Sequence, residues 1–243
     1  MASTIGGTDW RCLDERLSGA LRPLAPPIAI RFHFEAEAEA AHFEATLPPA
    51  NDAGRTGAVP AGCVFWIEAV RRTFFTVATD HANCNVGSYT HGFLDIAAAA
   101  KGDDVVAALA AGWIDEAAFA ALPVIGKKPT AVTYGPLSDA NGADAVLLRV
   151  NGLGLMMLKD AFPELAVEGK PQCHIIPLAL KTGMPAASVG CALSRARTGM
   201  KAEELVCVLP AARLAELVEK LETAVSLDRA MARYAGQDAQ RFA

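Results

Sequence analysis

Apolar residues along the chain fall into two periods, and each predicts a kind of element. In "DWRCLDERLSGALRPL", Trp10, Leu13, Leu17 and Leu21 recur at helical spacing until Pro26 and Pro27 stop the run. "IAIRFHF" alternates Ile28, Ile30, Phe32 and Phe34 against Ala29, Arg31 and His33, the period of a half-buried strand. "EAEAEAAHFEAT" then predicts a solvated helix, which runs out into a loop rich in Pro, Gly and Asn. "CVFWIEAVRR" predicts a short helix and "TFFTVA" a strand. The segment Asp103 to Leu122 predicts two helical pieces that separate near Gly112. "TAVTYGPL" and "DAVLLRV" predict strands, with a helix from about Leu153 to Phe162 after them. "LVCVLP" predicts the last strand and "ARLAELVEKLETAVSLDRAMARYA" a long amphipathic helix. Leu214, Leu217, Val218, Leu221 and Val225 lie on its buried stripe.

Interleaved helices and strands imply a mixed α/β or α+β fold. The chain's 243 residues suit one domain, 1–243. A faint repeat also divides it into halves of about 25–125 and 126–230. Cys63 and Cys84 are echoed by Cys173 and Cys191, and "CNVGSYTHGF" is echoed by "CALSRARTGM".

Composition narrows the class. Apolar residues make up 52% of the chain, enough for a substantial core. The net charge is −5 and no basic run tracks along the sequence, which argues against nucleic acid as a partner. No window has the unbroken apolar length of a membrane span, and the first residues lack the apolar core of a secretory signal. The expectation is a cytoplasmic chain, with no membrane partner, whose six cysteines are thiols, ligands or nucleophiles rather than a disulfide framework.

The densest chemistry lies in "TDHANCNVGSYTHGF", Thr79 to Phe93. His81 and Cys84 form a His-x-x-Cys pair able to hold a metal from two sides, while His91 lies one or two helical turns past Cys84. After Cys191 come Ser194, Arg195, Arg197 and Thr198. A helix starting at Cys191 would favour an anion, and one guanidinium would grip a carboxylate or phosphate. Only one of the two arginines can face such a site, since residues two apart on a helix diverge by about 200°. Arg195 is preferred as the nearer to Cys191. No G-x-S-x-G elbow is present, so a serine hydrolase is excluded. A cysteine nucleophile, Cys84 or Cys191 with His81 or His174 as base, remains open. "NGLGLMM" lacks the glycine order of a nucleotide loop, and Met156 and Met157 suit a core.

"PPIAIRF", "DHANCNVGSYTHG", "YGPLSDANGADAVLLRV" and "SVGCALSRARTG", in that order, resemble the domain of unknown function 169 family of bacteria and archaea. The likeness runs from about Leu21 to Leu227. The chain departs from the family pattern at "GCVFWIEAVRRT", where bulky aromatics follow the cysteine. The resemblance implies that Cys63, Cys84, Cys173 and Cys191 are the family's cysteine positions, and that Cys12 and Cys207 are not. Two thiolates from each half would then make a four-cysteine site, with His81 as a weaker candidate ligand. The leading expectation is an iron–sulfur cluster, with zinc as the alternative, serving a redox or small-molecule role. The partner would be a small anionic molecule or a redox protein. A metal-free module for a small anion and a cysteine-dependent enzyme are the competing readings.

Overall fold

The computed structural model describes residues 8–35, 38–44, 60–169 and 171–242. Helix α1 (Trp10–Leu21) opens where the Asp9 carboxylate accepts the Cys12 N–H at 2.9 Å, capping a first turn that lacks partners of its own. It ends at Arg22 in the left-handed region, just before Pro23. Strand β1 (Ile28–His33) follows, then α2 (Gly62–Glu68), β2 (Phe74–Thr76), α3 (Asn85–Thr90) and α4 (Ile96–Ala99). Next come α5 (Asp103–Ala110) and α6 (Glu116–Ala120), separated at Gly112, whose φ of 64° suits glycine. The chain continues through β3 (Ala131–Pro136), β4 (Ala145–Val150), α7 (Gly152–Ala161), β5 (Ala166–Glu168) and α8 (Ile175–Thr182). It closes with β6 (Ala186–Ser188), α9 (Ala192–Thr198), β7 (Leu205–Pro210) and α10 (Leu214–Arg241).

The seven strands form one mixed sheet in the order β2-β3-β1-β4-β7-β6-β5, antiparallel except for the β5–β6 pair. The mixed α/β or α+β class is therefore what the chain adopts. Alternation along the strands sends side chains to two cores. On β4 and β7, Val146, Leu148, Cys207 and Leu209 face α1, α7 and α10. Ala145, Leu147, Val206 and Val208 face α2 and α8 with Ile28, Ile30 and Phe32 of β1. The tail helix buries Leu214, Leu217, Val218, Leu221 and Val225, the stripe set by its periodicity.

The alanine–glutamate segment departs from its predicted helix. Among its described residues, 38–44, no helix forms, and His42 instead makes a parallel bridge to Phe75 at the β2 edge. Phe43 buries itself against Phe65 and Phe74, with ring centroids 4.8 and 5.0 Å away. Anchoring one aromatic in the core outweighs the weak helix propensity of an alanine–glutamate repeat. The remainder of the segment and its loop, 36–37 and 45–59, lies outside the described residues.

Candidate functional site

Four elements carry the four cysteines to one cavity of about 360 Å³. Cys63 is the second residue of α2, Cys84 is the N-cap of α3, Cys173 lies in the 3₁₀ turn before α8, and Cys191 is the N-cap of α9. Two packings bring them together: α2 lies against α9, and α3 lies against the turn Gln172–His174. Cys12 is exposed on α1 and Cys207 is buried on the opposite face of the sheet, so neither lines the cavity.

The local chemistry keeps three of these thiols protonated. Burial pushes Cys84 up to about 12, only partly offset by the Gly87 N–H, which donates to its Sγ at 3.4 Å. Burial raises Cys63 as well, against a hydrogen bond from Ser194 and the positive charge of Arg197. Burial also raises Cys173 well above its ordinary value, as does the neighbouring Cys84, while a Thr90 hydrogen bond opposes the rise. These mutual influences show that the sulfurs sense one another. Among the described residues, however, no group of three or more His, Cys, Asp or Glu side chains is arranged to hold a metal ion.

The two arginines divide their roles in the order opposite to the one expected from sequence distance. Arg195 is turned away from the cavity and donates to the carbonyls of Val189, Glu204 and Lys201, the first two at 2.9 Å. It thereby clasps the loop that presents Cys191. Gly190 in that loop has a φ of 117°, and a Cβ there would stand 2.9 Å from Arg195 Nε, so both the conformation and the approach require glycine. Arg197 lines the cavity instead. Its Nη2 donates to the Asn83 carbonyl at 2.5 Å, while Nη1 is shielded from solvent without a partner. Ser194 is buried on the cavity wall. Thr198 lies off the wall and donates back to the Ser194 carbonyl at 2.8 Å.

The histidines are placed elsewhere. His81 is buried among Phe65 and Phe93, with ring centroids 4.9 and 4.6 Å away, and off the cavity wall. Because Thr76 Oγ1 donates to the Val132 carbonyl, it accepts from His81 Nε2 at 3.0 Å. Burial lowers the pKa of His81 well below the ordinary range. His91 hydrogen-bonds the Gly87 carbonyl through Nδ1 at 2.9 Å and is pushed down by burial to about 4. His174 stands 3.5 Å from the Glu168 carboxylate in a separate depression. No histidine lines the cysteine cavity.

Wall residues that were not singled out from sequence include three with polar groups. Trp66 lies one helical turn after Cys63, Gln172 immediately precedes Cys173, and the Asp104 carboxylate accepts from Asn85 N and Nδ2 at 3.0 and 2.6 Å. The i,i+3 relation of Trp66 to Cys63 was the one available signal.

The model of the uncharacterised ArCR family, domain of unknown function 169, matches residues 16–220. The chain belongs to this family. No curated protein and no solved structure matches it. Among the described residues no helix is long and apolar enough to cross a membrane.

Proposed function

We propose that the chain holds an iron–sulfur cluster between Cys63, Cys84, Cys173 and Cys191 and uses it in a redox or small-molecule reaction. One observation carries this reading: four of the six cysteines, from four separate elements, meet on the wall of one cavity. Such a cluster, when bound, supplies one-electron transfer or a Lewis-acidic iron.

The protein's own part is to position and insulate. Burial keeps Cys63, Cys84 and Cys173 neutral as thiols, so that binding a metal through them would release protons. Arg197 sets one positive charge beside the thiolates that result. The strand order supports a two-sided site. Outward from the β1–β4 pair it runs β3, β2 on one side and β7, β6, β5 on the other; in the chain Cys63 and Cys84 flank β2, and Cys173 and Cys191 flank β6. A cysteine nucleophile has less support, because no histidine lines the cavity and Cys84 is held as a thiol. A redox protein remains the macromolecular partner this reading implies.

The test is anaerobic purification and reconstitution with ferrous iron and sulfide, followed by iron and acid-labile sulfide analysis and visible absorption. Cys84→Ser and Cys191→Ser should lose most of the cluster, while Cys12→Ser and Cys207→Ser should retain it. Equal retention in all four variants, or no uptake by the unmodified protein, would refute the reading.

A further inference from the structure

Helix α5 and its C-cap form one wall of the cysteine cavity. Asp104, Ala107, Ala108 and Ala111 recur at the i, i+3, i+4, i+7 spacing that puts side chains on one stripe, and all four line it. The elements on either side of α5 are anchored by buried side chains. Ala99 of α4 is fully buried, and Phe119 of α6 packs against Tyr89 of α3 with ring centroids 5.3 Å apart. Within α5 itself only Val105 is buried, and the alanines of its cavity stripe offer single methyl groups. A short element packed so lightly opens locally at less cost than the sheet.

Polar contacts supply what packing does not. The Asp104 carboxylate accepts from the Asn85 N–H at 3.0 Å and from Asn85 Nδ2 at 2.6 Å. Among the described residues these are the side-chain hydrogen bonds that join α5 to the rest of the chain. They fall on the first residue of α3, directly after Cys84. Gly102, just before α5, permits the approach, because a Cβ there would stand 2.1 Å from Asn85 Nδ2. At the other end Gly112 has a φ of 64° and open space where a side chain would go, so backbone conformation and not crowding requires glycine. Helix α5 is therefore about 12 Å of helix, flanked by glycines and fastened at one end by one carboxylate.

We infer that α5 is a hinged flap over the cysteine cavity, with Asp104 and Asn85 as its latch and Gly112 as its hinge. Latched, the flap shields the thiols next to α3. Released, it opens the wall that α5 closes and gives iron, sulfide or a small reactant a route to them. The inference rests on the proposed function only for what passes beneath the flap; the latch and the hinge belong to the fold with or without a cluster.

The experiment measures access to the thiols in the full, metal-free chain. A bulky maleimide is added and the labelled cysteines are located over time by peptide mapping. Two cysteines outside the cavity calibrate the result: exposed Cys12 reports the reagent, and buried Cys207 reports unfolding of the whole chain. Asp104→Ala should speed labelling of the cavity cysteines about tenfold, the equivalent of one hydrogen bond to a charged group, with Cys12 and Cys207 unchanged. Gly102→Ala keeps the carboxylate but pushes the Asn85 amide aside, and should act in the same direction. Asp103→Ala removes an exposed charge from the same turn of α5 and should leave the rate unchanged. Equal acceleration by Asp103→Ala, rates indifferent to both latch variants, or Cys207 labelled as fast as the cavity cysteines would each overturn the inference. Hydrogen exchange on the unmodified chain needs no variant: α5 amides should exchange faster than those of β4 and α8, and equal rates would count against the flap. Latch-dependent labelling without cluster uptake would sink the proposed function alone; cluster uptake with labelling indifferent to the latch would sink this inference alone.

Discussion

Replacing Arg195 with methionine separates the clasp from the cavity. The side chain keeps most of its apolar stem but loses donors to three backbone carbonyls, of Val189, Lys201 and Glu204. A hydrogen bond contributes about 0.5–1.5 kcal/mol net. Val189 is half-exposed, so its carbonyl regains water and the loss there falls at the low end; Glu204 is buried, so the loss there falls at the high end. The sum is roughly 2 kcal/mol, which for a chain of this size lowers the unfolding midpoint by about 4–8 °C. Since the clasp ties the Val189–Cys191 loop to the segment before β7, the variant should also hold less cluster, in proportion to the disorder of Cys191. Differential scanning calorimetry and iron analysis on the same preparation measure both effects, and Arg195→Lys should fall between. Midpoint and iron content both at the unmodified level would show that the guanidinium does not hold the loop.

The remaining predictions concern the frame. Leu221 is fully buried on α10, so Leu221→Ala should cost about 2–5 kcal/mol in urea unfolding. Beyond Leu227 the same helix is exposed almost throughout, so truncation there should move the midpoint by no more than about 2 °C; the opposite order of effects would contradict the packing of α10. Burial by itself raises the Glu204 carboxyl, but its ion pair and hydrogen bond with Arg149 and the Lys201 N–H bring it below the ordinary 4.5. A depressed carboxylate contributes stability that is complete above its unfolded pKa and is lost as pH falls through the folded one. Glu204→Gln should therefore be destabilised at neutral pH, and the gap to the unmodified protein should close as pH drops below about 4.5. A gap that stays constant into acid would rule out the ionised pair.

Periodicity alone determined the longer elements. The stripes of α1 and α10 recur at helical spacing, and the six-residue apolar runs of β1, β3, β4 and β7 read as strands although most of their residues are buried on both faces. Short strands escaped, because β5 and β6 are set by pairing with neighbours more than by their own sequence. Phe43 shows the converse: its contacts with Phe65 and Phe74 draw a helix-prone segment onto the sheet edge. The cysteines could be singled out because the family's pattern marks their positions, but their meeting could not be read from spacing. It depends on α2 packing against α9 and α3 against the turn before α8, contacts that join residues more than eighty positions apart. The same holds for the arginines. Chain distance favoured Arg195, yet the left-handed turn at Gly190 folds the loop back so that carbonyls surround Arg195, leaving the guanidinium of Arg197 to face the thiols. Residue types are written in the sequence, whereas which donors find a carbonyl and which are left facing a cavity is decided only when distant backbone segments come to rest against each other.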